Sequence, residues 1–425
     1  AALSSSNLNA LSTTQLRQLK VPTLSAVSST AMGGLSSTNV AGLLATQVTG
    51  LSADMLTAMS TSQVAALTSA QWSAVTTAGI AALSTAKVAQ ITTGELQVLS
   101  VNQIKALGTD SVASLTTARL ATLQVSQLTA LTTQQTTAMD TTQVSSLGST
   151  QWQALSTAQI ASWGTSNLAA ITSTQLNQLT KTQLQGLASD KLASLSTTAV
   201  AGLNTAQVKL LSSAQIQGMT TNQVKALTST VINALADTQI QALSTSQVQS
   251  VSTTLATNIS TSVLQKLSTT QAQALTSAMV NTFTTGQVQA LTTNQLNAMG
   301  STMVSNLSST NLRALSSTQI TALTSTALAG LSSTQAPLLQ TAQVRSLSTA
   351  QLASLSSQVF GALSSTQIQS LSSTQVSGIS TTMAANMGTD QLTALTTAQL
   401  AYLDTADRKS TRLNSSHTDI SRMPS

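Results

Sequence analysis

The sequence predicts an all-α solenoid of very short capped helices, one per eight-residue repeat. Three observations carry this expectation. Apolar residues recur every eight positions without a slip, Ser or Thr follows 37 of the 51 in the first series, and the spacing suits neither a straight strand nor a continuous helix. A β-solenoid, with a corner between its two apolar positions, is the alternative.

The register sets everything else. Leu3, Leu11, Leu19, Val27, Leu35 and Leu43 open a series that is apolar at all 51 of its positions as far as Leu403. A second series, Leu8, Leu16, Leu24, Met32 and Val40, runs to Leu400 and is apolar and larger than Ala at 45 of 50 positions. It fails at Thr136, Ala256, Ala272, Ala336 and Ala384. The residue before it is Gln in 28 of 50 octads, as in Gln15, Gln47 and Gln63, which gives the consensus Leu-Ser-Thr-Thr-Gln-Val-x-Ala. We name its positions the Leu, cap, Gln, Val, outward and small sites. No insertion or deletion breaks it, so residues 1–404 form one uninterrupted array.

Val64, Leu67 and Trp72 are separated by three and then five residues. Both steps are odd, so a straight strand would send the two series to opposite faces. A continuous helix drifts by roughly 80° per octad, because eight residues advance about 800°. The helix must therefore break once in each octad. Ser or Thr at the cap site supplies the break, since a side-chain oxygen there can accept an orphan backbone N–H. Gln lies three residues on, so Ser12 to Gln15 and Thr68 to Gln71 read as capping boxes. Each octad is expected to hold about seven helical residues, roughly 10 Å long.

So short a helix is unstable alone and must bury both anchors against neighbouring coils. Small residues at Ala10, Gly34, Gly42 and Ala66 allow close approach, and the variable outward site is expected to face solvent. Pro22 falls in a first turn, where a missing N–H is tolerated. Pro337 falls deeper and is expected to distort its helix. The Val-site faults at Thr136 and across 252–274 mark the expected weak regions.

Composition excludes most chemistry. The chain has no Cys, 6% charged residues and 1% aromatics. No His lies before position 417, so no Ser–His or Cys–His pair can form within the repeats. The carboxylates of the array, Asp54, Glu95, Asp110, Asp140, Asp190, Asp237, Asp390 and Asp404, are dispersed, with Asp140 and Asp404 at cap sites. No catalytic, cofactor-binding or metal site is expected. Trp72, Trp152 and Phe360 fill Val sites, and Trp163 and Phe283 fill Leu sites, as core residues would. Trp152 and Trp163 are close enough in sequence to stack, whereas Tyr402 occupies a small site near the end. Arg17, Lys105, Lys209, Lys225, Arg313 and Arg345 occupy outward sites many octads apart, too sparse for a nucleic-acid stripe. No apolar run reaches the length of a membrane span.

Octads such as Leu195 to Val200 and Leu395 to Leu400 resemble the repeat tracts of long proteobacterial surface proteins often labelled adhesion or haem-utilisation proteins. The resemblance implies a structural or adhesive spacer, extracellular or at the cell surface, facing a protein or glycan partner or another copy of itself. It implies no catalysis. The haem label finds no axial ligand in the array, because His and Cys are missing and the single Tyr and the Met residues form no pattern. Two other functions are compatible with the repeat: a peptide- or glycan-binding solenoid, and an ice-binding hydroxyl lattice. Free interchange of Ser and Thr argues against the latter, since capping requires only the hydroxyl.

Residues 405–425 leave the octad pattern. Asp407 to His417 resembles the translation of a common short-read sequencing adapter, and Ser421 to Ser425 resembles its continuation. This tail is read as non-native, and the array as a fragment of a longer protein. Without the tail the array carries 12 basic and 8 acidic residues.

Overall fold

The computed structural model describes residues 3–403, so the tail lies outside the described residues. Contacts divide the chain into two compact units, 1–219 and 220–425. Both are built alike, and each is described by itself.

The backbone alternates between two conformations. The Leu-site residue and the cap that follows it are extended, as at Leu107 (φ −59°, ψ 138°) and Gly108 (φ −62°, ψ 152°). The next four to six residues form an α-helix, for example Thr61–Ala65, Ser69–Ala74 and Thr205–Val208. These helices are shorter than the seven residues expected, because the extended pair and the turn before it occupy the remainder of the octad. No β-strand occurs among the described residues, so the β-solenoid alternative is wrong. Two extended residues are enough to turn a corner and too few to form a ladder.

Caps restart the helices as the hydroxyl pattern requires. Ser60 Oγ accepts the Gln63 N–H at 3.2 Å, and Gln63 Oε1 accepts the Ser60 N–H. The Gln half of the box survives without a hydroxyl: Leu44 and Gly148 still donate their N–H to Gln47 and Gln151.

In the first unit, helix Ser29–Gly33 packs on Ala53–Ala58, and Ala45–Val48 packs on Ser69–Ala74, the third neighbour in each case. Hydrogen bonds extend to the fourth neighbour, since Gln47 in Ala45–Val48 reaches Leu16 in Thr13–Arg17. Each coil therefore holds between three and four octads. The second unit repeats the scheme, with Thr253–Thr257 on Ser277–Asn281 and Thr261–Lys266 on Thr285–Ala290.

Leu- and Val-site residues line the interior. Four of the five faults stay inside, with Thr136, Ala256, Ala272 and Ala336 fully buried, whereas Ala384 is half-buried. Small sites face the first helical residue of an octad 29 positions earlier. A Cβ on Gly202, for instance, would lie 2.3 Å from Ser173 Cβ.

The proline expectations hold. Pro22 sits in the first turn of Val21–Ser25, and Pro337 converts its octad to the 3-10 turn Ala336–Leu338. One distortion was not foreseen. Gly300, at a cap site, adopts φ 72°, ψ −170°, a region open essentially only to glycine, and the backbone kinks there between two successive helical segments within Thr293–Asn306.

Candidate functional surface

The Gln site carries most of the polar chemistry. Of its 28 glutamines, 27 are buried, the exception being Gln15 in the first coil. Their amides do more than close capping boxes. Gln103 Oε1 accepts the Ser100 N–H at 2.7 Å, while its Nε2 donates to the carbonyls of Trp72 (2.8 Å) and Val75 (2.7 Å). Those acceptors lie 31 and 28 residues earlier, at the end of a helix one coil back. Gln271 does the same in the second unit, reaching Ile240 and Leu243. One amide thus satisfies the start of its own helix and the end of another.

The sequence held a signal for this second role. Capping needs only an acceptor, which Glu provides, yet Glu fills the Gln site once, at Glu95. Its carboxylate accepts the Thr92 N–H at 2.7 Å and has no donor to offer the preceding coil. Cations use the site in the opposite way. Lys191 Nζ donates to the Trp163 carbonyl at 2.7 Å, and Lys87 Nζ donates to the carbonyls of Leu56 and Thr57. Partial burial lowers the Lys87 pKa from its usual value.

The outward site is exposed as expected at Arg17, Lys105, Lys209, Lys225, Arg313 and Arg345. Several of its residues also reach a small-site carbonyl 25 positions ahead: Arg17 reaches Gly42 (2.8 Å), Ser25 reaches Gly50 (2.9 Å) and Arg313 reaches Leu338 (2.9 Å). Sequence variability concealed this role, because Arg, Ser, Asn, Gln and Thr can all donate.

The carboxylates stay apart. Asp140 Oδ1 caps its helix through the Gln143 N–H at 2.7 Å, and Asp237 pairs with Lys266 at 2.6 Å on the surface. Asp404 lies outside the described residues. No group of three metal-ligating side chains forms among the described residues.

Trp152 and Trp163 stack with ring centroids 5.4 Å apart, and both are fully buried, so neither offers a face to a ligand. Trp163 Nε1 donates to the Thr136 carbonyl at 3.0 Å, and Thr136 Oγ1 meets Ser162 Oγ. The expected weak point at Thr136 is thus filled by an indole from the following coil. Phe283 and Phe360 are buried, whereas Tyr402 is exposed.

The second unit encloses a cavity of about 30 Å³ lined by aliphatic side chains and Met279. It is far below the several hundred Å³ of a small-molecule site. It overlaps the stretch 252–274, where Ala256 and Ala272 replace larger Val-site residues. No helix among the described residues is long and apolar enough to cross a membrane.

A family model described as an ALTTAQ repeat matches residues 184–221. Ala394 to Gln399 spells the same six letters. No curated protein matches the chain. The chain is a repeat protein of short helices, and its residues 184–221 carry the ALTTAQ repeat.

Proposed function

We propose that the chain is a structural, adhesive spacer from a large bacterial surface or secreted protein, with no catalytic role. The carrying observation is the reach of the contacts. Side-chain hydrogen bonds between coils span 25 to 31 residues, as at Arg17–Gly42 and Gln47–Leu16. Such an array is quasi-one-dimensional, so coils can be added without altering those already present. Extra octads then change length and little else, which suits a spacer. The exposed hydroxyls and sparse charges supply a repetitive outer surface, with no cluster of metal-ligating side chains among the described residues.

The test places a binding domain beyond the array on a bacterial surface and varies the number of octads. A spacer predicts that capture of a tethered ligand depends on octad number while the far-UV spectrum per residue stays constant. Capture independent of length would overturn the proposal. Thermal hysteresis by the purified array would favour an ice-binding lattice, and a reproducible hit on a glycan or peptide array would favour a binding scaffold.

A further inference from the structure

Five outward sites hold Asn: Asn9, Asn177, Asn233, Asn281 and Asn297. Each forms the same two-handed bridge. Nδ2 donates to the small-site carbonyl 25 residues ahead, at Gly34 (2.8 Å), Gly202 (2.5 Å), Asn258 (3.0 Å), Asn306 (2.8 Å) and Ala322 (2.9 Å). Oδ1 accepts the cap-site N–H 27 residues ahead, from Ser36 (2.8 Å), Asn204 (3.1 Å), Ser260 (2.8 Å), Ser308 (2.8 Å) and Thr324 (2.8 Å). That N–H is the donor a Gln-site amide accepts elsewhere.

The Gln sites that would serve these five caps hold Asn39, Gln207, Val263, Asn311 and Ala327. Four of the five lack Gln. In the fifth, Gln207 Oε1 is buried without a hydrogen-bond partner, while Nε2 still donates to Asn177 and Leu179. The orphan has a physical cause: Asn177 already holds the amide that Gln207 would accept. A buried acceptor left unpaired is unfavourable, so the two oxygens compete for a single proton donor.

We propose that outward-site Asn and Gln-site Gln are interchangeable acceptors for one cap amide, and that the octad of Asn204, which has both, is a two-state hydrogen-bond switch between coils. With Asn177 holding the Asn204 N–H, the bridge ties two coils through an exposed side chain. With Gln207 holding it, the octad becomes an ordinary Gln octad and Asn177 is released to solvent. At the bridges of Asn233 and Asn297, where Val263 and Ala327 hold the Gln site, no side-chain oxygen stands in reserve.

The test is amide hydrogen exchange in the full chain, followed residue by residue by NMR. N177S is expected to leave Asn204 protected within about threefold, because Gln207 takes over. Q207V is likewise expected to leave it protected through Asn177. N177S/Q207V should accelerate its exchange at least tenfold. At the site without redundancy, N233S alone should accelerate Ser260 at least tenfold, and N233S/V263Q should restore it. An unchanged far-UV spectrum and unchanged exchange at Ser60, far from both sites, will show that each variant is folded. Acceleration of Asn204 in either single variant to the level of the double would overturn the proposal, as would failure of V263Q to protect Ser260. A variant that loses the spectrum is replaced by its Thr counterpart, N177T or N233T, and read by the same criteria.

Discussion

Replacing Gln103 with Leu isolates the worth of one cross-coil amide. Leu retains most of the side-chain volume at this buried site, so the change removes polar partners without opening a large hole. The Ser100 N–H loses its Oε1 acceptor and the Val75 carbonyl loses its Nε2 donor. The Trp72 carbonyl keeps a second partner, the Val75 N–H at 3.3 Å. Two backbone groups are thus stranded, and each costs about 1–3 kcal/mol, for a total of about 2–6 kcal/mol. The array is quasi-one-dimensional, so the loss is to be read locally, as faster amide exchange at Ser100 and in the coil around Trp72 and Val75. A loss of 2 kcal/mol corresponds to about thirtyfold. Gln15→Leu is the control. Gln15 is exposed, its Oε1 accepts only the Ser12 N–H and hydroxyl, and water can replace it there, so its effect should stay below about 1 kcal/mol. If Gln103→Leu and Gln15→Leu perturb their coils equally, cross-coil amides do not hold the array together.

Three glycines should respond in opposite directions in thermal melts. Gly330→Ala places a Cβ 2.0 Å from the Ser301 carbonyl oxygen and should destabilise by about 1–3 kcal/mol. Gly300→Ala should cost a similar 1–3 kcal/mol through its positive φ, whereas Gly94→Ala, with open space around it in a helix, should stabilise by about 0.5–1 kcal/mol. Lys87 has a folded-state pKa below its usual 10.5, so the unfolded chain binds more protons between those two values and stability rises with pH across that window. The stability difference between wild type and Lys87→Gln, from urea midpoints, should therefore shift in favour of wild type as pH rises toward 10.5 and stay flat below the folded-state pKa. Trp163→Ala should cost about 3–5 kcal/mol and speed exchange around Thr136, while in the wild type 252–274 exchanges faster than 132–139. Equal protection of those two stretches would refute the filling role assigned to Trp163.

The helical octad, its caps and its buried series were legible because each follows from local spacing. The period of eight forces a break, and Ser or Thr at the break marks where the helix restarts. Helix length was overestimated because the extended pair at sites such as Leu107 and Gly108 leaves no side-chain signature of its own. The coil repeat of between three and four octads was not legible, since it depends on how helices stack rather than on their periodicity. It could have been approached through the Gln sites, where preference for an amide over a carboxylate signals a donor used at a distance. The Asn bridges needed coordinates: nothing in the octad containing Asn177 marks Asn204 as its partner until the coil closes. The repair of Thr136 by Trp163 was hidden for the same reason, since the two lie 27 positions apart.

The backward reach of the Gln amides has a consequence for how such a chain is made. Gln103 Nε2, like those of the coils around it, lands on carbonyls that left the ribosome 28 to 31 residues before it. A newly emerging coil thus meets a template already made for its Gln amides, while outward-site donors such as Arg17 wait for a coil that follows. Contacts this local favour rapid folding. Growth can proceed from the amino end like a rope being laid, with each lay seated on the one beneath.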